Sequence, residues 1–227
     1  MKHIQIAIDG PSGAGKSTVA RALAKELGIV YVDTGALYRT VGYGVVSRGL
    51  SPSDAGAVEA QLPTLIIDVR YEDGVQCVYL NGENLGDKIR QPEISMAASA
   101  VSAIPAVRAF LLDTQRSIAA RNSVVMDGRD IGTVILPNAD VKIFMTASNE
   151  SRARRRTKEL LEKGVEVRYE DVLREMQQRD DQDRNRAVAP AVPAEDAVFL
   201  DNSDMTVEQT VAAARVIVER VCGCEFV

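Results

Sequence analysis

Gly10-Pro11-Ser12-Gly13-Ala14-Gly15-Lys16-Ser17, with Thr18 following, sets three glycines, a lysine and a hydroxyl at the spacing G-x-x-x-x-G-K-[ST]. Such small residues let a backbone wrap a phosphate chain with its N–H groups turned inward, and a helix opening at the loop's end adds partial positive charge. Lys16 would reach the β- and γ-phosphates, and the Ser17 hydroxyl would help to hold Mg²⁺. Residues 10–18 are therefore expected to bind a nucleoside triphosphate. The run does not choose a reaction.

Two further runs suggest what else is bound. Asp33-Thr34-Gly35-Ala36-Leu37-Tyr38-Arg39 and Val124-Val125-Met126-Asp127-Gly128-Arg129-Asp130 each begin at or within a short apolar segment. Both would leave a sheet at its carboxyl edge, where ligands of open α/β sheets bind. Asp127, closing four apolar residues, is a candidate to orient Mg²⁺ or its water, with a helix N-cap as the alternative. Arg39 and Arg129 would emerge at the same edge as the phosphate loop, which favours phosphate clamping over the ordinary surface ion pair.

The elements that must carry these residues follow from periodicity. Ile4 to Asp9 reads as a strand, Ser17 to Leu27 as a helix closed by Gly28, Ile29 to Val32 as a second buried strand, and Ala36 to Ser47 as a helix. Ser51-Pro52 is expected to open another helix. From Pro63 the texture changes: Leu65–Tyr71, a turn at Asp73-Gly74, Val75–Leu80 and a turn at Asn81-Gly82 predict an antiparallel β-insertion over residues 63–94. Helices near 92–102 and 105–121 start at Pro92 and Pro105. Ser123–Met126 and Val141–Met145 read as strands, residues 148–185 as charged helix, Ala197–Leu200 as a last strand and Val207–Val221 as a last helix. Strands alternating with helices imply an α/β fold with a parallel sheet covered on both faces.

Composition narrows the function classes. The 227 residues carry 27 Lys+Arg against 32 Asp+Glu, a net charge of −5, which argues against a general nucleic-acid or membrane-surface binder. Of the basic residues 20 are Arg, whose flat fork grips phosphate bidentately where Lys acts as a point charge. His3 is the only imidazole, so a Ser-His-Asp triad or a His-rich zinc site is not expected. Cys77, Cys222 and Cys224 form no disulfide framework and too few ligands for a metal site, which points to a reducing cytoplasm. No run approaches the ~18 apolar residues of a membrane span, and no signal-peptide pattern opens the chain.

The four runs Gly-Pro-Ser-Gly-Ala-Gly-Lys-Ser, Asp-Thr-Gly-Ala-Leu-Tyr-Arg, Asp-Gly-Arg-Asp-Ile-Gly-Thr and Arg179-Asp180-Asp181-Gln182-Asp183-Arg184-Asn185-Arg186 occur in the order and spacing of the bacterial CMP/dCMP kinases, within the nucleoside-monophosphate kinases, and the chain resembles that family from about residue 4 to 220. The resemblance implies a P-loop kinase with a five-stranded parallel sheet flanked by helices, a small antiparallel β-insertion and a helical lid. It divides the chain into a core of residues 1–62, 95–150 and 187–227, a monophosphate-binding insertion at 63–94, and a lid with its adjoining helix at 151–186. It also implies phosphoryl transfer from ATP, with Mg²⁺, to CMP or dCMP, by a cytoplasmic monomer that binds neither nucleic acid nor membrane.

Residue roles carry over by the same resemblance. The base would be held by Ser99, Arg108 and Asp130, the ribose by Arg179 and Asp183, and the α-phosphate by Arg39, Arg129 and Arg186, with Lys16 bridging to the donor. Thr34 keeps the hydroxyl where some relatives have Ser. The chemistry fits cytosine, since Asp accepts from its 4-amino group and Arg donates to N3 and O2, whereas uracil reverses both. Arg152, Arg154, Arg155 and Arg156, followed by Lys158 and Lys163, read as a basic helix face at the lid's position, with Glu150, Glu159 and Glu162 close enough to neutralise much of it. At least one of Arg154–Arg156 is a candidate contact to donor phosphates. Other P-loop small-molecule kinases are the nearest alternative, followed by a nucleotide-dependent switch; RNA binding through residues 152–163 lacks an aromatic platform.

Overall fold

The computed structural model describes residues 3–72, 74–162 and 164–223; Asp73, Lys163 and Cys224, all named above, lie outside the described residues. Strands β1 (Gln5–Asp9), β2 (Val30–Asp33), β6 (Val124–Gly128), β7 (Val141–Thr146) and β8 (Val198–Asp201) form one parallel sheet in the order β2-β6-β1-β7-β8. β6 opens on the apolar run Val124–Met126 and β1 carries Ile6–Ile8, all buried because both faces of the sheet are covered there. On one face α1 (Lys16–Glu26) and α8 (Val207–Cys222) pack Leu23, Ala24, Ala214 and Val218 against Ile6, Ile8 and Ile143. On the other, α5 (Pro105–Arg121) and a short helical segment at Ile131–Ile135 cover Ala7, Val32 and Met126.

The second sheet is antiparallel, in the order β3 (Ile67–Glu72), β4 (Val75–Leu80), β5 (Glu83–Asn84). Asn81 and Gly82 turn the last hairpin with φ of 51° and 86°, the left-handed pair that Asn-Gly supplies at low cost. This sheet has no core of its own. Leu65, Val78, Leu80, Leu85 and Ile89 pack on Val41 and Val45 of α2 (Thr34–Val46) and on Ile94 and Val101 of α4 (Pro92–Ser102). Gly44 on α2 permits the approach, since a Cβ there would lie 2.9 Å from the Leu65 side chain.

Two expectations are corrected. The helix expected at Ser51-Pro52 begins later, as α3 (Ala55–Gln61), because Asp54 supplies the cap by accepting from the Ala57 N–H at 3.1 Å. The charged stretch 148–185 is two helices, α6 (Asn149–Glu162) and α7 (Tyr169–Asn185). Gly164 at φ +75° ends the first, its N–H and that of Val165 closing on the carbonyls of Leu161 and Leu160. The reversal lets Ala153, Val172 and Met176 bury one another in a small core beside the phosphate loop. Among the described residues no single helix is long and apolar enough to cross a membrane.

Candidate active site

β1 delivers the glycine-rich loop and α1 receives it. Gly10 (φ +147°), Gly13 (+71°) and Gly15 (+85°) adopt backbone angles that side chains disfavour, and a Cβ on Gly10 would lie 2.0 Å from the Met145 carbonyl oxygen. Lys16 is buried and its Nζ donates to the Pro11 carbonyl at 2.7 Å. Burial pulls its pKa down to about 7, with nearby Arg129 acting in the same direction and Asp127 and Asp9 against it. Asp9, the last residue of β1, accepts from the Ile131 and Gly132 N–H groups at 2.8 and 2.7 Å, so it ties the Asp-Gly-Arg-Asp-Ile-Gly turn to the loop's root. Burial raises its pKa to about 6 despite those two bonds.

Asp33 closes β2 opposite Asp127 on neighbouring β6. Asp127 caps no helix: it lies within β6, where its carboxylate accepts from the Ser17 hydroxyl at 2.8 Å and the Tyr31 hydroxyl at 2.9 Å. Burial, then the Asp33 charge, pushes its pKa up. A hydroxyl and a carboxylate side by side at a phosphate loop are the donor set that Mg²⁺ takes when most of its sphere is phosphate and water. Among the described residues no group of three or more His, Cys, Asp or Glu could hold a metal on its own.

Beyond Lys16 opens a cavity of about 400 Å³ between the loop, α2, α4 and α7. Of the loop, Ser12, Gly13, Gly15, Lys16, Ser17 and Thr18 line it, whereas Pro11 faces a different cavity and Gly10 and Ala14 face neither. Thr34, Arg39, Ser99, Arg108, Asp127, Arg129, Asp130, Arg179, Asp183 and Arg186 also line it, so residues more than 150 positions apart in sequence meet around one space. The Thr34 hydroxyl donates to the Asp127 carbonyl at 2.7 Å.

The cavity's charges are arranged in two groups. At one end Asp130 is buried between Arg108, to which it is tightly bonded, and Arg186 at 3.4 Å. Arg108 also donates to the Ser102 carbonyl and lies over the Tyr38 ring, 5.5 Å from its centroid. Nearer Lys16, Arg129 pairs with Asp183 at 2.9 Å and Arg39 with Asp33 at 2.8 Å. Burial opposes ionisation of Asp183, but Arg129 and Arg179 still hold its carboxyl below the usual range. Arg179 makes no such pair, and its Nε, like that of Arg39, is buried without a hydrogen-bond partner. Burial and the Arg129 charge bring the Arg179 pKa down to about 10. Two guanidinium Nε–H groups without acceptors, in the cavity with Lys16 and Arg129, make an electropositive space suited to a phosphate dianion.

The basic run on α6 does not form one solvated face. Arg152 is buried: it donates to the Ser12 carbonyl at 2.7 Å, to Asp180 at 2.5 Å and to the Ala147 carbonyl at 3.1 Å. Asp180 in turn accepts from the Ser12 N–H at 3.0 Å. Arg155 holds the carbonyl and side chain of Asn202, whose amide donates to the Ala14 carbonyl at 2.9 Å. Arg154 is exposed, and Lys158 and Glu162 form a distant, exposed pair. Arg156, paired with Glu159 at 2.9 Å, is the one of Arg154–Arg156 that lines the cavity.

Sequence reasoning left several of these residues without a role. Asp33 carried a signal, since it ends an apolar run as Asp127 does. Asp9, at the end of β1, carried the same one. Arg152 and Asp180 were legible only as members of charge runs, because their pairing is made across the turn between α6 and α7.

Comparison with known proteins bears on the same residues. The family described as "Cytidylate kinase" matches residues 6–220. A cytidylate kinase of Caldicellulosiruptor bescii is 48% identical over 209 residues, covering 92% of each chain, and one of Caldicellulosiruptor saccharolyticus is 45% identical over 225 residues, covering 99% of this chain and 100% of the relative. Among solved structures, an uncharacterized protein from Eubacterium ventriosum aligns with a TM-score of 0.51 at 13% identity over 97% of this chain and 99% of that one, a likeness of fold alone. With the match spanning nearly its whole length, the chain belongs to the cytidylate kinase family.

Proposed function

We propose that the chain transfers the γ-phosphoryl group of ATP to CMP or dCMP, giving ADP and CDP or dCDP. The observation that carries this reading is the polarity of the cavity: Lys16 with Arg39 and Arg179, whose Nε groups have no acceptor, toward one end, and the Asp130–Arg108 pair toward the other. The first end suits the phosphates. The second offers a carboxylate acceptor and a guanidinium donor side by side, the complement of cytosine's 4-amino group and N3/O2 edge.

The residues then divide the work. The loop backbone from Gly10 to Ser17 and the Thr18 region cradle the donor phosphates, with Lys16 turning from the Pro11 carbonyl to the transferred group. Arg39 and Arg129 fix the acceptor phosphate, joined by Arg186 once it turns from Asp130, while Arg179, between phosphate and sugar, holds the sugar with Asp183, and Ser99, Arg108 and Asp130 hold the base. Ser17 and Asp127 would hold Mg²⁺, which when bound supplies positive charge to the donor phosphate oxygens. The nucleophile is an acceptor phosphate oxygen, largely ionised at pH 7 because its second pKa is ~6, so no side chain need act as a base. Alignment of the two phosphates and charge stabilisation by Lys16 and the arginines provide the rate. Arg156 is positioned to add a contact to the donor side as α6 and α7 close. A monomer acting in a reducing cytoplasm, without nucleic acid or membrane, accords with this reading.

A coupled ADP-release assay with CMP, dCMP, UMP, AMP and shikimate tests it. Turnover should be confined largely to the two cytosine acceptors. Equal or greater turnover on any of the others refutes the assignment.

A further inference from the structure

Asp33 is held from two sides. Its Oδ1 caps α2 by accepting from the Ala36 N–H at 2.9 Å, and its Oδ2 is shared between Arg39 at 2.8 Å and Arg90 at 3.1 Å. Arg90 ends the turn of helix that follows β5, and Gln76 comes from β4. The Gln76 side chain clamps the main chain of Asp33, accepting from its N–H at 2.8 Å and donating to its carbonyl at 3.2 Å. The β-insertion thus holds Asp33 twice, with Gln76 on its main chain and Arg90 on its carboxylate. That carboxylate is the anchor of Arg39, whose Nε is buried without a partner and which lines the cavity. Gly35 leaves the guanidinium its space, for a Cβ there would sit 3.0 Å from Arg39 Nη1.

We infer that Arg90 is a positioning residue for the acceptor phosphate, acting through Asp33: it is the cation that stays on Asp33 when Arg39 turns to the phosphate. Asp33 is buried, and a buried carboxylate stripped of its only cation is strongly disfavoured, so Arg39 alone would be held back by its own counter-ion. With Arg90 on the same oxygen, Arg39 leaves without stranding the charge. The same exchange tightens Arg90 and Gln76 on Asp33, so acceptor binding and seating of the β3–β5 sheet favour each other by the same factor. This rests on the reading of Arg39 as a contact to a monophosphate acceptor.

Arg90→Ala, Arg90→Lys and the pair Asp33→Asn, Asp33→Asn/Arg90→Ala separate the possibilities. Arg90 is exposed at the surface, so its variants are expected to fold as the parent does. Arg90→Ala should raise the acceptor KM about tenfold, a difference that one half-exposed charged contact can supply, with the ATP KM unchanged. Arg90→Lys should restore most of it. In the Asp33→Asn background, removing Arg90 should add nothing to the acceptor KM. Hydrogen exchange of residues 67–84 should slow on adding CMP to the parent, and not in Arg90→Ala. An unchanged acceptor KM, an equal rise in both KM values, or an undiminished effect of Arg90 in the Asp33→Asn background overturns the inference. Failure of the parent to phosphorylate CMP would instead overturn the functional reading, and the same variants would then be scored on whichever monophosphate the parent accepts.

Discussion

Arg152 offers the sharpest test of how α6 and α7 hold the phosphate loop. Arg152→Met keeps the length and apolar stem of the side chain but removes the guanidinium from Ser12, Ala147 and Asp180. Both members of the pair are nearly buried, with side-chain exposures of 4% and 12%, so the Asp180 charge would be left without its cation in a site that water hardly reaches. Breaking a buried pair from one side costs about 3–5 kcal/mol. For a chain of this size each kcal/mol moves the midpoint by about 2–4 °C, so Tm should fall by about 6–20 °C in a calorimetric or circular-dichroism melt. Because Asp180 also receives the Ser12 N–H, the ATP KM should rise several-fold while the acceptor KM moves less. Arg152→Met/Asp180→Leu should regain a large part of the lost Tm, since apolar replacement of both partners is often near neutral. A Tm loss under about 2 °C for the single variant, or simple additivity in the double, would refute the clamp.

Other expectations follow from the same geometry. Lys16→Ala should abolish transfer without lowering Tm, because the ammonium it removes is costly to bury in the free chain; turnover near that of the parent would contradict the mechanism. Gly10→Ala would drive a methyl group into the Met145 carbonyl and should give a chain that melts early or fails to bind ATP, as read by thermal shift with and without nucleotide. Burial raises the Asp9 pKa from 3.8 to about 6, so between those values the folded chain binds more protons than the unfolded one and stability falls as pH rises, by about 3 kcal/mol across the window. Asp9→Asn lacks that titration. Urea-unfolding curves of the two should therefore differ by an amount that falls from pH 3.8 to 6 and then levels, and a flat difference would count against the burial argument.

The parts of the fold that sequence revealed are those governed by local rules. β1, β2 and β6 are readable because burial on both faces leaves short apolar runs, and α4 and α5 start at Pro92 and Pro105 as their fixed φ requires. The division of the charged region at Gly164 was missed because both halves keep helical periodicity and the break is rewarded by tertiary burial of Ala153, Val172 and Met176. Ser51 and Asp54 are both sound cap residues, and only the wider packing decides between them. The same division applies to the cavity. The phosphate loop, Asp127 and the arginines stand in runs whose spacing announces them, whereas Gln76, Arg90 and the Arg152–Asp180 pair act on residues 28 to 168 positions away and leave no local trace.

A crystal structure of the chain with CMP bound would test the central claim most directly. The account predicts the 4-amino group of cytosine within hydrogen-bond reach of the Asp130 carboxylate, Arg108 on the neighbouring edge of the base, and the phosphate between Arg39 and Arg129 with Arg39 turned from Asp33. A base lodged elsewhere in the cavity, or a phosphate that leaves Arg39 and Arg129 on Asp33 and Asp183, would contradict it.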